Sequence, residues 1–425
     1  MGATHPGSTL SGLRAEIDEA LADEKCTNGT RRKLYSKLEL IVMDYEASLT
    51  TEAAKKEWAD DMKTQEELKE VRKKLKLKPI QRGFRLWYWF DILYRFIGVN
   101  AAIFTITIVC ALPILVLQVV EDLIRVDPFK KPSVAIRQAM CMFILLCSGI
   151  VTDFGEAPEE YFSSQCALLC FTHNSNVDGF MVCSACPIRH YALGKKELFY
   201  VPFFSWISFA AGGVPVDREN KDRAIAALRR ATEAAASSKA CIAVAPEGTR
   251  SKVGHLLPFK KGPFHMQQDL GSPILPFIIY GAWDLYPVGS WVNQCGRCAT
   301  RFLEPIEPVD PSGNKRSLEE MRNLARRRML QAASEIPESV GDDLTAVEWF
   351  ECYLANAVNA LFVAVVMRYY IVDLFFNYLG MGWRDMITNT LLMVGTVTVA
   401  LYVWSVYIVN FLTGLLPQSR KDKVA

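Results

Sequence analysis

The chain has 425 residues, 51% of them hydrophobic, with 48 basic against 46 acidic side chains and a formal net charge of +2. That length suits about three folding units. The charge balance gives no electrostatic footprint for nucleic acid, while a mean hydropathy above zero points toward lipid.

Residues 1–80 are rich in charge, with helical patterning over 10–24, 33–45 and 52–75, and read as a helical region that is either a small domain or a partner-binding arm. The first 25 residues lack an apolar core, so no cleavable signal peptide is expected. Pro6 stands where myristoylation wants serine or threonine. The sequon Asn28-Gly29-Thr30 stays unused if this region faces the cytosol. Residues 81–155 read as interfacial and re-entrant membrane helices. Pro113 interrupts the apolar stretch 97–120, and 139–151 has the length of a re-entrant or buried helix rather than a span. Lys73, Lys74, Lys76, Lys78, Arg82 and Arg85 precede this region, and Arg125, Lys130, Lys131 and Arg137 follow its first stretch. The positive-inside rule then places both ends on the cytosolic side, as in a hairpin dipping into one leaflet. Trp87, Tyr88, Trp89 and Phe90 fit an interfacial belt. The alternative is a solvated charge run beside a core helix.

Residues 156–340 alternate strand-like runs at 167–171, 191–193, 214–216, 241–245 and 274–280 with helix-like segments at 221–237 and 261–270, which argues for an α/β domain. Polar blocks follow the strands. After the first comes Phe171-Thr172-His173-Asn174-Ser175-Asn176-Val177-Asp178, an imidazole with a carboxylate five positions on, the only one of the five histidines so placed. Such a pair suits proton abstraction from an alcohol, because the carboxylate fixes the imidazole tautomer and stabilises the imidazolium. A satisfied core histidine or a helix cap would show the same spacing. Gly212-Gly213-Val214-Pro215-Val216-Asp217-Arg218 and Pro246-Glu247-Gly248-Thr249-Arg250 follow. In open α/β sheets ligands bind beyond the carboxyl ends of the strands, where these blocks fall, and two arginines there suit an anionic ligand such as phosphate. Surface ion pairing is the competing role for each arginine.

The set His173-x4-Asp178, Gly212…Arg218, Glu247-Gly248-Thr249-Arg250 and Pro273-Ile274-Leu275-Pro276 resembles the four motifs of the glycerolipid acyltransferases. Within that family it is most similar to the 1-acyl-glycerol-3-phosphate (lysophosphatidic acid) acyltransferases, over roughly residues 165–310, including Gly194-Lys195-Lys196-Glu197-Leu198 and Pro258-Phe259-Lys260-Lys261-Gly262. Thr172 and Ala245 depart from the asparagine and phenylalanine common in the family, and residues near the first motif vary among branches acting on different lysolipids. The resemblance implies a mixed, largely parallel sheet flanked by helices, and acyl-CoA as co-substrate with no bound cofactor. It implies His173 and Asp178 as the catalytic pair, and Arg218, Glu247, Gly248, Thr249 and Arg250 as acceptor-binding residues. No Gly-x-Ser-x-Gly elbow occurs, so direct transfer is expected, with backbone amides near His173 and either Lys195 or Lys196 on the oxyanion.

The basic stretch 315–336, with Arg322, Arg326, Arg327 and Arg328, either rests on anionic headgroups or is a plain surface helix. Residues 350–417 read as a transmembrane hairpin of 354–372 and 391–416, joined by the loop 380–389, with Arg368 and Asp373 near its first end. The basic tail 418–425 would then be cytosolic, and Lys421-Asp422-Lys423-Val424-Ala425 resembles a dilysine retrieval signal of the endoplasmic reticulum. The 12 cysteines are expected to be mostly reduced. Cys183-x2-Cys186 and Cys295-x2-Cys298 have zinc-site spacing, but the first pair lies in a helix where small apolar residues would also serve, and no metal is expected.

The expectation is therefore an integral membrane enzyme of the endoplasmic reticulum, with its catalytic domain facing the cytosol, that acylates lysophosphatidic acid from acyl-CoA to give phosphatidic acid. Alternatives are the same chemistry on another lysophospholipid or on glycerol-3-phosphate, a CoA-independent phospholipid transacylase, and a lipid-binding membrane protein without turnover.

Overall fold

The computed structural model describes residues 6–366 apart from 24–25, 50, 78–111, 125, 127–130, 159, 161, 163–166, 201–207, 210, 218, 239, 291–292, 338 and 341–343. Four helices open the chain: α1 (Pro6–Ala22), α2 (Asn28–Ser48), α3 (Glu52–Asp60) and α4 (Met62–Lys74). The pattern expected as one helix over 52–75 breaks at Asp61, whose carboxylate accepts the Thr64 N–H and so caps a new helix. These helices bury Leu13, Ile17, Leu34, Leu38, Val42, Trp58, Leu68 and Val71 in a core of their own.

Next come α5 (Leu112–Leu123) and α6 (Pro132–Cys147), then strand β1 (Ile150–Phe154). The sheet therefore begins at Ile150, ahead of the boundary expected at 156. The apolar run 139–151, expected to dip into a membrane, is the end of α6 and the start of β1. One face of it is buried against protein: Leu145 packs with Met181 and Val182, and Met140, Cys141 and Ile144 with Ile114 and Cys183, while Ala139 and Met142 are exposed.

The rest of the sheet comes from β2 (Leu168–Phe171), β3 (His190–Lys195), β4 (Gly213–Val216), β5 (Cys241–Val244), β6 (Ile274–Tyr280) and β7 (Gly296–Phe302). Helices α7 (Asp178–Ala185), α8 (Lys221–Ser238), α9 (Gly262–Leu270), α10 (Ala282–Leu285), α11 (Leu318–Ser334) and α12 (Ala346–Val366) connect and flank them. The strand order is β1-β7-β6-β2-β5-β3-β4, with β6 and β7 antiparallel and the other neighbours parallel. This is the mixed, largely parallel sheet the family resemblance implies. Strands β5 and β6 are buried along their whole length, as expected where helices cover both faces. Alternation divides β2 and β6: Leu168, Cys170, Ile274 and Ile278 meet Met321, Ala325 and Met329 of α11, while Leu169, Leu275, Phe277 and Ile279 share a core with Met181 and Val182 of α7.

The N-terminal helices dock on this domain through α2 and α11. Glu39, almost fully buried, takes Arg72 and Arg326 on its two carboxylate oxygens, each at 2.6 Å. Arg32 and Asn28 hold Asp284 at 2.7 and 2.6 Å, and Arg327 pairs with Asp44. Arg322 and Arg328 pair with Glu319 and Glu304. Arg322, Arg326, Arg327 and Arg328 thus each meet a protein carboxylate. A solvent-facing carboxylate pair would contribute little, but Glu39 has lost its water and depends on both guanidinium groups.

Among the described residues no helix is long and apolar enough to cross a membrane. The expected span 391–416, the stretch 97–111, the continuation of 354–372 beyond 366, the aromatic belt 87–90 and the basic tail lie outside the described residues.

Candidate active site

The carboxyl end of β2, the central strand, delivers His173 two residues beyond Phe171. Thr172 fixes that turn: its N–H donates to the Phe277 carbonyl and its Oγ1 accepts the Ile279 N–H at 3.0 Å, tying the motif to β6. His173 Nδ1 lies 3.0 Å from Asp178 Oδ2. Asp178 is fully buried, whereas the His173 side chain is 26% exposed. The Asn174 and Ser175 N–H groups converge on the same Oδ2 at 2.7 and 2.8 Å. Three donors on one oxygen lock the carboxylate, the first residue of α7, and make Nδ1 the protonated nitrogen, leaving Nε2 as the basic one.

The loop after β5, adjacent to β2 and parallel to it, supplies the second block. Glu247, only 2% exposed, accepts the His173 N–H on Oε1 at 3.0 Å and the Leu257 N–H on Oε2 at 2.8 Å. Burial pushes its pKa up to about 8 against those two bonds. The family resemblance assigns Glu247 to the acceptor, but the structure turns its carboxylate inward onto two backbone amides, where it holds the loops. Ser251 N–H donates to the His173 carbonyl at 2.9 Å, so His173 is gripped at both its amide and its carbonyl. Gly248 has φ +70°, and a Cβ there would run into the Lys260 side chain. Thr249 and Arg250 are exposed. Arg250 donates to Asn176 Oδ1, which places the guanidinium over the His173–Asp178 loop. Tyr286 also bonds Asn176, and burial raises its phenol pKa.

Asn176 is the residue that sequence reading missed. It lies inside the His173-x4-Asp178 block, yet only the ends of that block carry obvious acid–base chemistry. Both lysines are engaged by carboxylates. Lys196 pairs with Asp217 at 2.8 Å, which holds its ammonium above the usual lysine range, and Lys195 pairs with Glu197 at 3.5 Å. The amides of residues 173, 174 and 175 are all spent on Glu247 and Asp178, so they are not the oxyanion donors the sequence points to. Arg218 lies outside the described residues. The two Cys-x2-Cys pairs do not converge. Cys183 contacts His190 and Cys186 contacts Cys241, whereas Cys295 packs with Leu344 and Cys352. No cluster able to hold a metal ion occurs among the described residues.

The family model "Acyltransferase" matches residues 156–280, which contain every block of this site. This stretch of the α/β domain is acyltransferase-family sequence. The chain is 30% identical over 200 residues to the 1-acyl-sn-glycerol-3-phosphate acyltransferase of Saccharomyces cerevisiae, covering 47% of this chain and 65% of that protein. It is 26% identical over 237 residues to the Haemophilus influenzae protein of the same name, covering 55% of this chain and 95% of that one. A crystal structure of the 1-acyl-sn-glycerophosphate (LPA) acyltransferase from Thermotoga maritima aligns at 25% identity with a TM-score of 0.39, over 54% of this chain and 95% of that chain. The acyltransferase-family domain thus holds the His173–Asp178 pair at its central strand, with the Arg250 guanidinium beside it.

Proposed function

We propose that the protein transfers a fatty acyl group from acyl-CoA to the free hydroxyl of lysophosphatidic acid, giving phosphatidic acid and CoA. The observation that carries this reading is the His173–Asp178 pair with Arg250 fastened beside it by Asn176. His173 Nε2 takes the proton of the glycerol hydroxyl as its oxygen attacks the thioester carbonyl. Asp178, held by two backbone amides, stabilises the imidazolium through Nδ1–H. Collapse of the tetrahedral intermediate breaks the C–S bond, and the imidazolium returns its proton to the departing thiolate. Arg250 binds the acceptor phosphate, releasing Asn176, and Arg218, from the same family motif set, supports that charge. The likeness to proteins named 1-acyl-sn-glycerol-3-phosphate acyltransferase supports this acceptor.

The enzyme works at a membrane in this reading, with its site on the cytosolic side of the endoplasmic reticulum, where soluble acyl-CoA and a leaflet-bound lysolipid meet. Anchoring in this reading rests on the apolar sequence of 391–416, expected to be long enough to cross a bilayer. An unusual apolar stripe supports lipid contact: Val347, Phe350, Leu354, Val358 and Leu361 of α12 are all more than half exposed at helical spacing. Val116, Val119 and Leu123 of α5 are likewise exposed, and both helices pack on α6. Purified protein in detergent micelles, given labelled acyl-CoA and lysophosphatidic acid, lysophosphatidylcholine, lysophosphatidylethanolamine or glycerol-3-phosphate, tests the reading by product identity. Phosphatidic acid as the main product, with stoichiometric CoA release, is expected. A different headgroup in the product, or acyl transfer without CoA release, overturns it.

A further inference from the structure

The loop that carries Glu247 and Arg250 does not stand alone. Its continuation, residues 251–257, runs against the N-terminal helices, which lie outside the matched 156–280, with Ser251, Gly254, His255 and Leu256 buried. The Tyr35 ring of α2 stacks on the His255 imidazole, with centroids 4.0 Å apart and planes inclined by 1°. His255 Nε2 lies 2.7 Å from the carbonyl oxygen of Leu75, and Leu77 N–H donates to the Val253 carbonyl at 3.3 Å. Gly254, at φ +80°, permits this approach: a Cβ there would meet Leu77 at 2.5 Å and Trp283 at 2.7 Å. His255 is 4% exposed, and burial lowers its pKa to about 4, so the ring is a neutral imidazole donating through Nε2–H.

From this anchor a short line of contacts reaches the reacting group. Two residues after His255, the Leu257 N–H meets Glu247, whose other oxygen takes the His173 N–H. A small cavity of about 40 Å³, lined by Tyr35, Ser36, Thr172, Asn174, Glu247 and His255 among others, separates α2 from the back of the site. The His173 backbone is therefore held by a loop whose own position is set by a different folding unit. Side chains that fix the backbone of a reacting residue govern its alignment, and misplacement by about 1 Å can cost about 10²-fold in rate.

We propose that the N-terminal helices act as a positioning clamp on His173, transmitted from Tyr35 and the Leu75 carbonyl to His255, and through the 251–257 loop to Glu247 and the His173 amide. Tyr35 and His255 are positioning residues: neither touches the reacting atoms. The catalytic part of this inference rests on the acyl-transfer reading above.

The test uses the full chain and compares Tyr35→Ala and His255→Phe with Tyr35→Phe and with Lys55→Ala, a change in an exposed i,i+3 pair on α3. His255→Phe keeps a ring for the stack and loses the bond to Leu75. Two quantities are read: amide hydrogen exchange in peptides containing residues 173 and 257, and kcat and KM for lysophosphatidic acid and acyl-CoA. Tyr35→Ala and His255→Phe should each speed exchange of those two amides by about tenfold and lower kcat by about tenfold, with both KM values within about twofold. Tyr35→Phe and Lys55→Ala should match the wild type. Unchanged exchange and kcat in both Tyr35→Ala and His255→Phe overturns the clamp. So does faster exchange across the whole domain, which marks general destabilisation. If the two amides loosen in variants of a wild type that transfers no acyl group, the clamp stands and the acyl-transfer reading falls.

Discussion

Replacing Arg250 with lysine keeps the charge beside the His173–Asp178 pair and removes the planar fork that grips two phosphate oxygens at once. Arg250→Lys should therefore raise the KM for lysophosphatidic acid by about tenfold while kcat stays within about threefold, as steady-state kinetics would show. A fall in kcat at unchanged KM would assign Arg250 to the transition state instead. Protonation sets a second residue-scale expectation. Buried His255, with a pKa of about 4, stays neutral in the folded chain at a pH where the unfolded chain, titrating near 6.5, binds a proton. The unfolded state thus gains stability as pH falls from about 6.5 to about 4, by about 3 kcal/mol over that window. Glu247 acts in the opposite sense. Its pKa of about 8 keeps a proton on the folded chain where the unfolded chain, titrating near 4.5, has lost it, so its contribution to stability falls as pH rises through that interval. Denaturant midpoints at a series of pH values should show a shallower acid slope in His255→Gln than in the wild type. Identical slopes would mean the imidazole is not held neutral.

At the scale of elements, the turn entering β4 has the sharpest steric constraint. Gly212 sits at φ +83°, and a Cβ there would lie 1.9 Å from the His190 carbonyl oxygen, at the start of the neighbouring strand. Gly212→Ala should cost about 2 kcal/mol or more, read as a lowered unfolding midpoint, because both the conformation and the β3–β4 contact resist it. An unshifted midpoint would show that this turn yields freely. What the sequence makes legible here follows burial. Strand β6 can be read to its ends because it is apolar throughout and bounded by Pro273 and Gly281, and β2 and β5 are short apolar runs followed by polar motifs. Strand β1 is hidden because its first residues continue the apolar run of α6. Strand β7 is hidden because Arg297 and Arg301 interrupt it, and only tertiary partners, Glu348 and Asp153, make them acceptable in a sheet. In the site, the five-residue spacing of His173 and Asp178 is visible in sequence because it is local. The inward turn of Glu247 and the pairing of Lys195 and Lys196 with carboxylates are not, since no period encodes where a side chain points after a loop.

Across the whole molecule, the acyltransferase-family domain and the N-terminal helices share buried ion pairs, with Glu39 between Arg72 and Arg326 and Asp284 held by Arg32 and Asn28. These partners come from distant parts of the chain, so charge counting along the sequence shows two charged regions without showing that they meet. The α5 and α12 stripes give the same molecule an apolar side, while the site opens around an exposed guanidinium and a part-exposed imidazole. The proposed reaction, which joins a soluble donor to a lipid acceptor, would use both surfaces, and its chemistry depends on one proton transfer. The measurement that bears most directly on that step is turnover of purified His173→Ala with acyl-CoA and lysophosphatidic acid, alongside its circular dichroism and unfolding midpoint. Loss of at least about 10³-fold in kcat with a native-like spectrum is the expected result; turnover within about tenfold of the wild type would contradict the account.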